Sequence, residues 1–194
     1  MILRKAGYLL RSTDEGQIGW AYGLWLLLLL EVFLCASVQM QAFQSSSQYM
    51  EDALALSNLA AIVIDVEEYG TTHTILIDDA DLAWTRYQNA LRGNLGLNED
   101  WECPNKELIS GPVQIENFTV YNVREDSVEI TTYQPGGSPA RCERPVGTVC
   151  APNGKEIVST GVYSEISYPV RGMFGMEIRA HKGKLADIAV KEGL

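Results

Sequence analysis

A run of mostly apolar residues from Ile18 to Val38, IGWAYGLWLLLLLEVFLCASV, constrains this chain more than any other feature. Roughly 20 such residues in an α-helix cross about 30 Å of hydrocarbon, so the run predicts one membrane span. Arg4, Lys5 and Arg11 precede it, whereas Gln39 to Glu68 contain neither Lys nor Arg. Basic flanks stay on the cytoplasmic side. The expected organisation is therefore a cytoplasmic leader over 1–17, a transmembrane helix over 18–38, and an extracellular remainder. The predicted localisation is the cell membrane, with a single pass and the N-terminus inside. A cleaved secretory signal has a similar layout, but its apolar core is about 7 to 15 residues, shorter than this run. Trp20, Tyr22 and Trp25 suit the aromatic belt at the cytoplasmic interface.

Glu31 is the one ionisable group in the run. A carboxylate in mid-membrane costs about 2.5–3.5 kcal/mol on insertion scales, so such groups usually face protein. Glu31 is accordingly expected to contact another membrane helix.

Beyond the span the sequence stays helical in character. It has no Pro or Gly before Gly70 and is rich in Ala, Leu, Gln, Met and Glu, which predicts an exported amphipathic continuation over 39–70, helical to about Glu68. Ala42, Tyr49, Leu56 and Val63 recur every seven residues, with Met50, Leu54, Ala61 and Ile64 beside them. Together they predict an apolar stripe that needs a covering partner.

Residues 71–194 read as an α+β head. A second helix is expected within Ile77 to Leu97, with Leu82, Tyr87, Ala90 and Leu91 near one face and Gly93 and Gly96 as stop signals. From Gly111 onward, VQIENFTVYNV, SVEITTY, EIVSTGVYSEISYPV and GMEIRAH are rich in β-branched and aromatic residues and predict four or five antiparallel strands. Gln134 to Lys155, dense in Pro and Gly, predicts a loop or long hairpin end.

The formal net charge is −10, and the part beyond Gln39 holds 12 basic and 22 acidic residues. Such a surface disfavours nucleic acid as a partner. Cys35 reads as a small hydrophobe of the span. Cys103, Cys142 and Cys150 would all be exported, where disulfides persist. Cys142 and Cys150 flank ERPVGTV and form the expected pair, with Cys103 bonded to either as the alternative. No catalytic, cofactor or metal motif is present: GxSxG, HExxH and the P-loop are absent, and His73 and His181 lack ligand spacing to the cysteines. Asp65/Glu67/Glu68 and Asp78/Asp79/Asp81 read as charge at helix starts, and Trp84 and Tyr87 as core contacts. The chain reads as a non-enzyme without cofactors.

A basic leader, the sequence DEGQ, a hydrophobic helix running into an amphipathic half, and a small α+β head together resemble type IV pilins and pseudopilins. Within that superfamily the chain is most similar to TadE/TadG-like minor pilins of tight-adherence (Tad) systems, of the divergent Gram-positive sort. The stretches that carry the likeness are FQSSSQYMEDALALSNLAAIVI, DADLAWTRYQNALRGNLGL and VYSEISYPVRGMFGMEIRAH. The resemblance implies a pilin-like subunit that assembles, initiates or caps an adhesive pilus. Its implied partners are other pilin-like subunits, the assembly platform and membrane lipid. It also implies leader processing between Gly16 and Gln17, although the fifth residue after that cut is Ala21, where prepilins usually carry Glu. A membrane-anchored extracellular binding or sensing domain outside any filament is the alternative.

Overall fold

The computed structural model describes residues 3–104, 109–171 and 176–188, with side chains described from Gly19 onward. The chain divides into two compact units, Met1–Ser45 and Ser46–Leu194. Helix α1, Leu3–Ala61, makes up the first unit and supplies the opening element of the second. Its length follows from good helix formers and the absence of Pro.

The helix stops at Ala61, short of the expected Glu68. Ile62, Val63 and Ile64 are β-branched and suit extended backbone, and Ile64 forms an antiparallel bridge with Ile77. Asp65 N–H donates to Leu76 O at 3.0 Å and Asp78 N–H to Val63 O at 3.5 Å. Asp65 then caps helix α2, Val66–Thr72, by accepting from the N–H groups of Glu67 and Glu68. Gly70, expected as the terminator, lies inside α2, which ends on left-handed His73.

Helix α3, Ala80–Leu95, is capped at its start by Asp79 and stopped by Gly96 at φ 61°. It buries Ala83, Tyr87, Leu91 and Leu95. Of the expected face, Tyr87 and Leu91 are buried while Leu82 is exposed.

Five strands follow: β1 (Gln114–Val123), β2 (Ser127–Tyr133), β3 (Ala140–Pro145), β4 (Gly161–Arg171) and β5 (Glu177–Asp187). They form one antiparallel sheet in the order β3-β2-β1-β4-β5. The α+β class is thus as expected, but strand β3 lies inside the stretch read as loop. All six of its residues are exposed, so no alternation of polarity marks it. Pairing with β2 is what makes it a strand.

One sheet face carries Phe118, Val120, Tyr133, Val162, Ile166, Tyr168 and Val170 against Met50, Leu54, Tyr87 and Leu91 of the helices. Burial of each such side chain contributes about 1.5–3 kcal/mol. A bulge between Ile115 and Asn117 lets both Ile115 and Phe118 face this core, with Glu116 as the extra residue. On the opposite face Tyr121, Val128, Ile130, Tyr163 and Leu185 are covered by Val149, Ala151 and Ile157. Those three belong to a small hairpin closed by Ala151 N–H to Lys155 O and Ile157 N–H to Val149 O.

The face of α1 that enters the core is Met50, Ala53, Leu54, Ser57, Asn58 and Ala61. The expected heptad positions Tyr49, Leu56 and Val63 remain exposed. The selected face offers polar ties as well as apolar contact. Ser57 Oγ accepts from Asn94 Nδ2 at 3.0 Å, and Tyr49 Oη donates to Asn94 O at 2.7 Å. Asn58 Nδ2 donates to Lys184 O at 2.8 Å, two helical turns from Glu51, which pairs with Lys184 Nζ at 2.6 Å and Lys182 Nζ at 3.5 Å.

Candidate functional site: an uncovered helix and an aromatic groove

The first unit is a helix in which none of the described side chains, from Gly19 to Ser45, is buried. From Gly19 onward α1 is long and apolar enough to cross a membrane, with mean hydropathy 2.1 in its most apolar window and none of that window buried. Trp20, Tyr22, Trp25, Leu27 and Phe33 are all more than half exposed. Glu31 is exposed on the same helix. Cys35 is exposed as well, which agrees with an apolar environment supplied from outside the chain. Gly16 and Gln17 fall in the helical backbone of α1, and their side chains lie outside the described residues.

In the second unit, Leu56, Leu59 and Val63 are outward apolar residues, at 57 %, 55 % and 39 % exposure. Leu56 and Val63 are heptad positions that the core left out, and Leu59 lies beside them.

The expected Cys142–Cys150 bridge is not formed: Cys103, Cys142 and Cys150 are free thiols. Cys142 sits in β3 opposite Ile130, whereas Cys150 pairs with Glu156 in the small hairpin. Val149 and Ala151 on either side of Cys150 are buried, so the hairpin's alternation turns Cys150 away from the sheet. A disulfide needs Cβ vectors that converge. Cys103 is half-buried, and its thiol points to Leu95 O at 3.9 Å.

The two acidic clusters serve as structure. Asp65 and Asp79 cap α2 and α3. Asp81 accepts from Tyr133 Oη at 2.6 Å and lies 3.7 Å from Arg141. The depression beside them is lined by Asp65, Glu68, Asp78 and Glu129 together with Arg124, Arg141 and Asn122. Asn122 grips Ile77 from both sides, accepting from its N–H at 2.8 Å and donating to its C=O at 3.1 Å. No group of metal-ligating residues occurs among the described residues.

Trp84 and Tyr87 do join the core, as their spacing on α3 predicts, and with Phe118 and Tyr133 they form an aromatic cluster with ring centroids 4.7–5.9 Å apart. Burial pushes the Tyr87 phenol up, and burial together with Asp81 does the same for Tyr133. Tyr163 is raised to about 12 by burial and by neighbouring Glu165. Glu51 moves the other way, because the hydrogen bond and charge of Lys184 hold its carboxylate low.

Trp84 is only half-buried, and its outer part opens into a groove of about 700 Å³ lined by Gln88, Trp101, Glu116, Tyr133 and Gln134 among others. Trp84 and Gln88 sit one turn apart on α3. Trp101 is held at φ 62°, in the left-handed region that residues other than Gly rarely adopt, with Arg92 5.2 Å above its ring. The backbone there is tied down by Asn98, which accepts from the N–H groups of Asp100 and Glu102, and by Val113 N–H to Trp101 O at 2.9 Å. The β1 bulge supplies Glu116, and the turn after β2 supplies Gln134. Sequence reading found Trp84 but not the groove, because its residues come from α3, two turns and a bulge.

Comparison with family models, with curated proteins and with solved structures gave no match.

Proposed function

We propose that this chain is a non-enzymatic, single-pass, membrane-anchored pilin-like subunit, N-terminus in the cytoplasm and residues from Gln39 outside, that takes part in assembling, initiating or capping a Tad or type IV-like adhesive pilus. The observation that carries the reading is the uncovered apolar surface of α1: the bare stretch from Gly19 to Val38, and the outward Leu56 and Leu59. Lipid can cover the first, but exported apolar surface calls for protein. Equivalent helices of like subunits offer a complementary surface, and close packing drives helix association inside the bilayer. Glu31 then meets a donor on a neighbouring helix. The groove beside Trp84 favours a second reading, an anchored binding domain that enters no filament.

Two perturbations test the first reading in membranes solubilised at matched expression. Leu56→Glu with Leu59→Glu alters only exposed positions, so the head should melt as wild type while recovery of partner membrane proteins falls. Glu31→Leu should insert normally and also lose partners, because a donor left unpaired in hydrocarbon is costly. Unchanged recovery in both variants refutes assembly through α1. Orientation is checked separately: impermeant thiol reagents outside intact cells should reach Cys142 and Cys150 but not a cysteine introduced at Ser12.

A further inference from the structure

We propose that the groove bounded by Trp84, Trp101, Tyr133, Gln88, Gln134 and Glu116 binds a neutral saccharide. This site stands apart from the assembly reading and does not depend on it.

The argument starts from the chemistry of the walls. Two half-buried indoles, Trp84 and Trp101, backed by the buried Tyr133 ring, supply aromatic surface whose negative face attracts the weakly positive C–H groups on one side of a pyranose ring. Around them stand side-chain amides, each with donor and acceptor capacity. Among the described residues, the amides of Gln88 and Gln134 form no hydrogen bond to protein, whereas Gln114 Oε1 is occupied by Arg179 at 2.6 Å. Glu116 lines the groove but turns its carboxylate to Ser167 Oγ at 2.5 Å, on the Tyr163 face of the sheet. Hydroxyl groups can satisfy both free amides at once, because each donates and accepts.

Other ligand classes fit less well. Among the described residues, no Lys or Arg lines the groove, which disfavours phosphate and nucleotide. A purely apolar ligand would strand the amides, a cost of about 1–3 kcal/mol for each group it buries. A proline-rich peptide also suits aromatic grooves and is the competing occupant that the test separates. The volume, about 700 Å³, lies in the usual range for small-ligand sites and accommodates a short oligosaccharide. The strained backbone at Trp101, held by the Asn98 turn and by Val113, fixes one aromatic wall before any ligand arrives.

The test uses the full chain in phosphatidylcholine nanodiscs, free of sugar-headed detergent, titrated with soluble β-1,4-linked tetrasaccharides of N-acetylglucosamine, glucose and mannose. Tryptophan fluorescence and calorimetry read binding. At least one tetrasaccharide should bind saturably with a Kd on the order of 0.1–1 mM, with little dependence on salt. Gln88→Ala with Gln134→Ala, both at the rim, should weaken it about tenfold with the melting temperature unchanged. Trp101→Ala should weaken it at least as much, and Trp101→Phe should recover part of the loss. Absence of saturable binding by all three sugars up to about 10 mM overturns the proposal. So does sugar binding that none of these variants alters, or capture of a proline-rich peptide at the same residues when no sugar binds.

Discussion

Replacing Asn122 with Ala should destabilise the second unit far more than a half-exposed polar residue suggests. Its amide makes the only hydrogen bonds described between β1 and the extended segment around Ile77, of 2.8 and 3.1 Å. Each such bond is worth about 1 kcal/mol net, and a buried backbone group left without a partner costs about 1–3 kcal/mol. Ile77 is 3 % exposed, so water can restore little of what is lost. A loss of about 2 to 4 kcal/mol is expected, which for a domain of this size lowers Tm by about 5 to 15 °C. Asn122→Asp separates the two bonds. It keeps the acceptor for Ile77 N–H, loses the donor to Ile77 C=O, and adds a negative charge among Asp65, Glu68, Asp78 and Glu129 and the guanidiniums of Arg124 and Arg141. Thermal melts of the full chain followed by circular dichroism, at neutral and acidic pH, measure both variants. A loss under about 0.5 kcal/mol in Asn122→Ala would mean that the Ile77 segment is held by the Ile64 bridge and its own packing, and would refute the reasoning.

Alkaline titration should unfold the second unit early. Unfolded tyrosines ionise near pH 10, whereas Tyr163 is raised to about 12 and Tyr87 and Tyr133 are raised in the same direction. Stability is then complete below about pH 10 and falls as pH rises toward the folded values; tyrosinate absorbance rising well before the melting temperature drops would contradict this. Acid should weaken the tie between Glu51 and the two lysines, since a depressed carboxylate contributes above its unfolded pKa and ceases to as pH falls through its folded one. Glu51→Gln should flatten that acid limb in the same melts. Two glycines should respond with opposite signs to Ala. Gly93 is an exposed helical position with nothing near its added Cβ, so a gain of about 1 kcal/mol is expected. At Gly161 the new atom would lie 2.9 Å from Asp187 Cα, and a loss of about 1–3 kcal/mol follows.

The elements that could be read from the sequence are those whose local preference and final environment agree. The apolar run, the start and stop of α3 at Asp79 and Gly96, and the alternation in β1, β2 and β4 each carry their own signal. Where tertiary contact decides, the sequence is silent. The heptad of Tyr49, Leu56 and Val63 was the more regular apolar pattern, yet the core takes the neighbouring face with Ser57 and Asn58 because those groups find partners on Asn94 and Lys184. The end of α1 at Ala61 depends on Ile77 offering a bridge, and β3 depends on β2. The cysteines show the same limit, since proximity in sequence says nothing about which way Cys150 points. Of the groove, only Trp84 was named in advance, and as a core residue.

The sheet order has a consequence for a chain that folds as it is made. Strand β1 lies at the centre of the sheet, yet one of its two neighbours, β4, is encoded some forty positions later, at Gly161–Arg171. The β1–β2–β3 meander can zip as soon as it emerges, because its turns are short. Until β4 arrives, the other edge of β1 presents unpaired N–H and C=O groups beside Phe118 and Val120, a template for any stray strand. The β4–β5 hairpin closes that edge and also brings Lys182 and Lys184 to Glu51. A chain truncated before β4 would carry its sheet open at the middle.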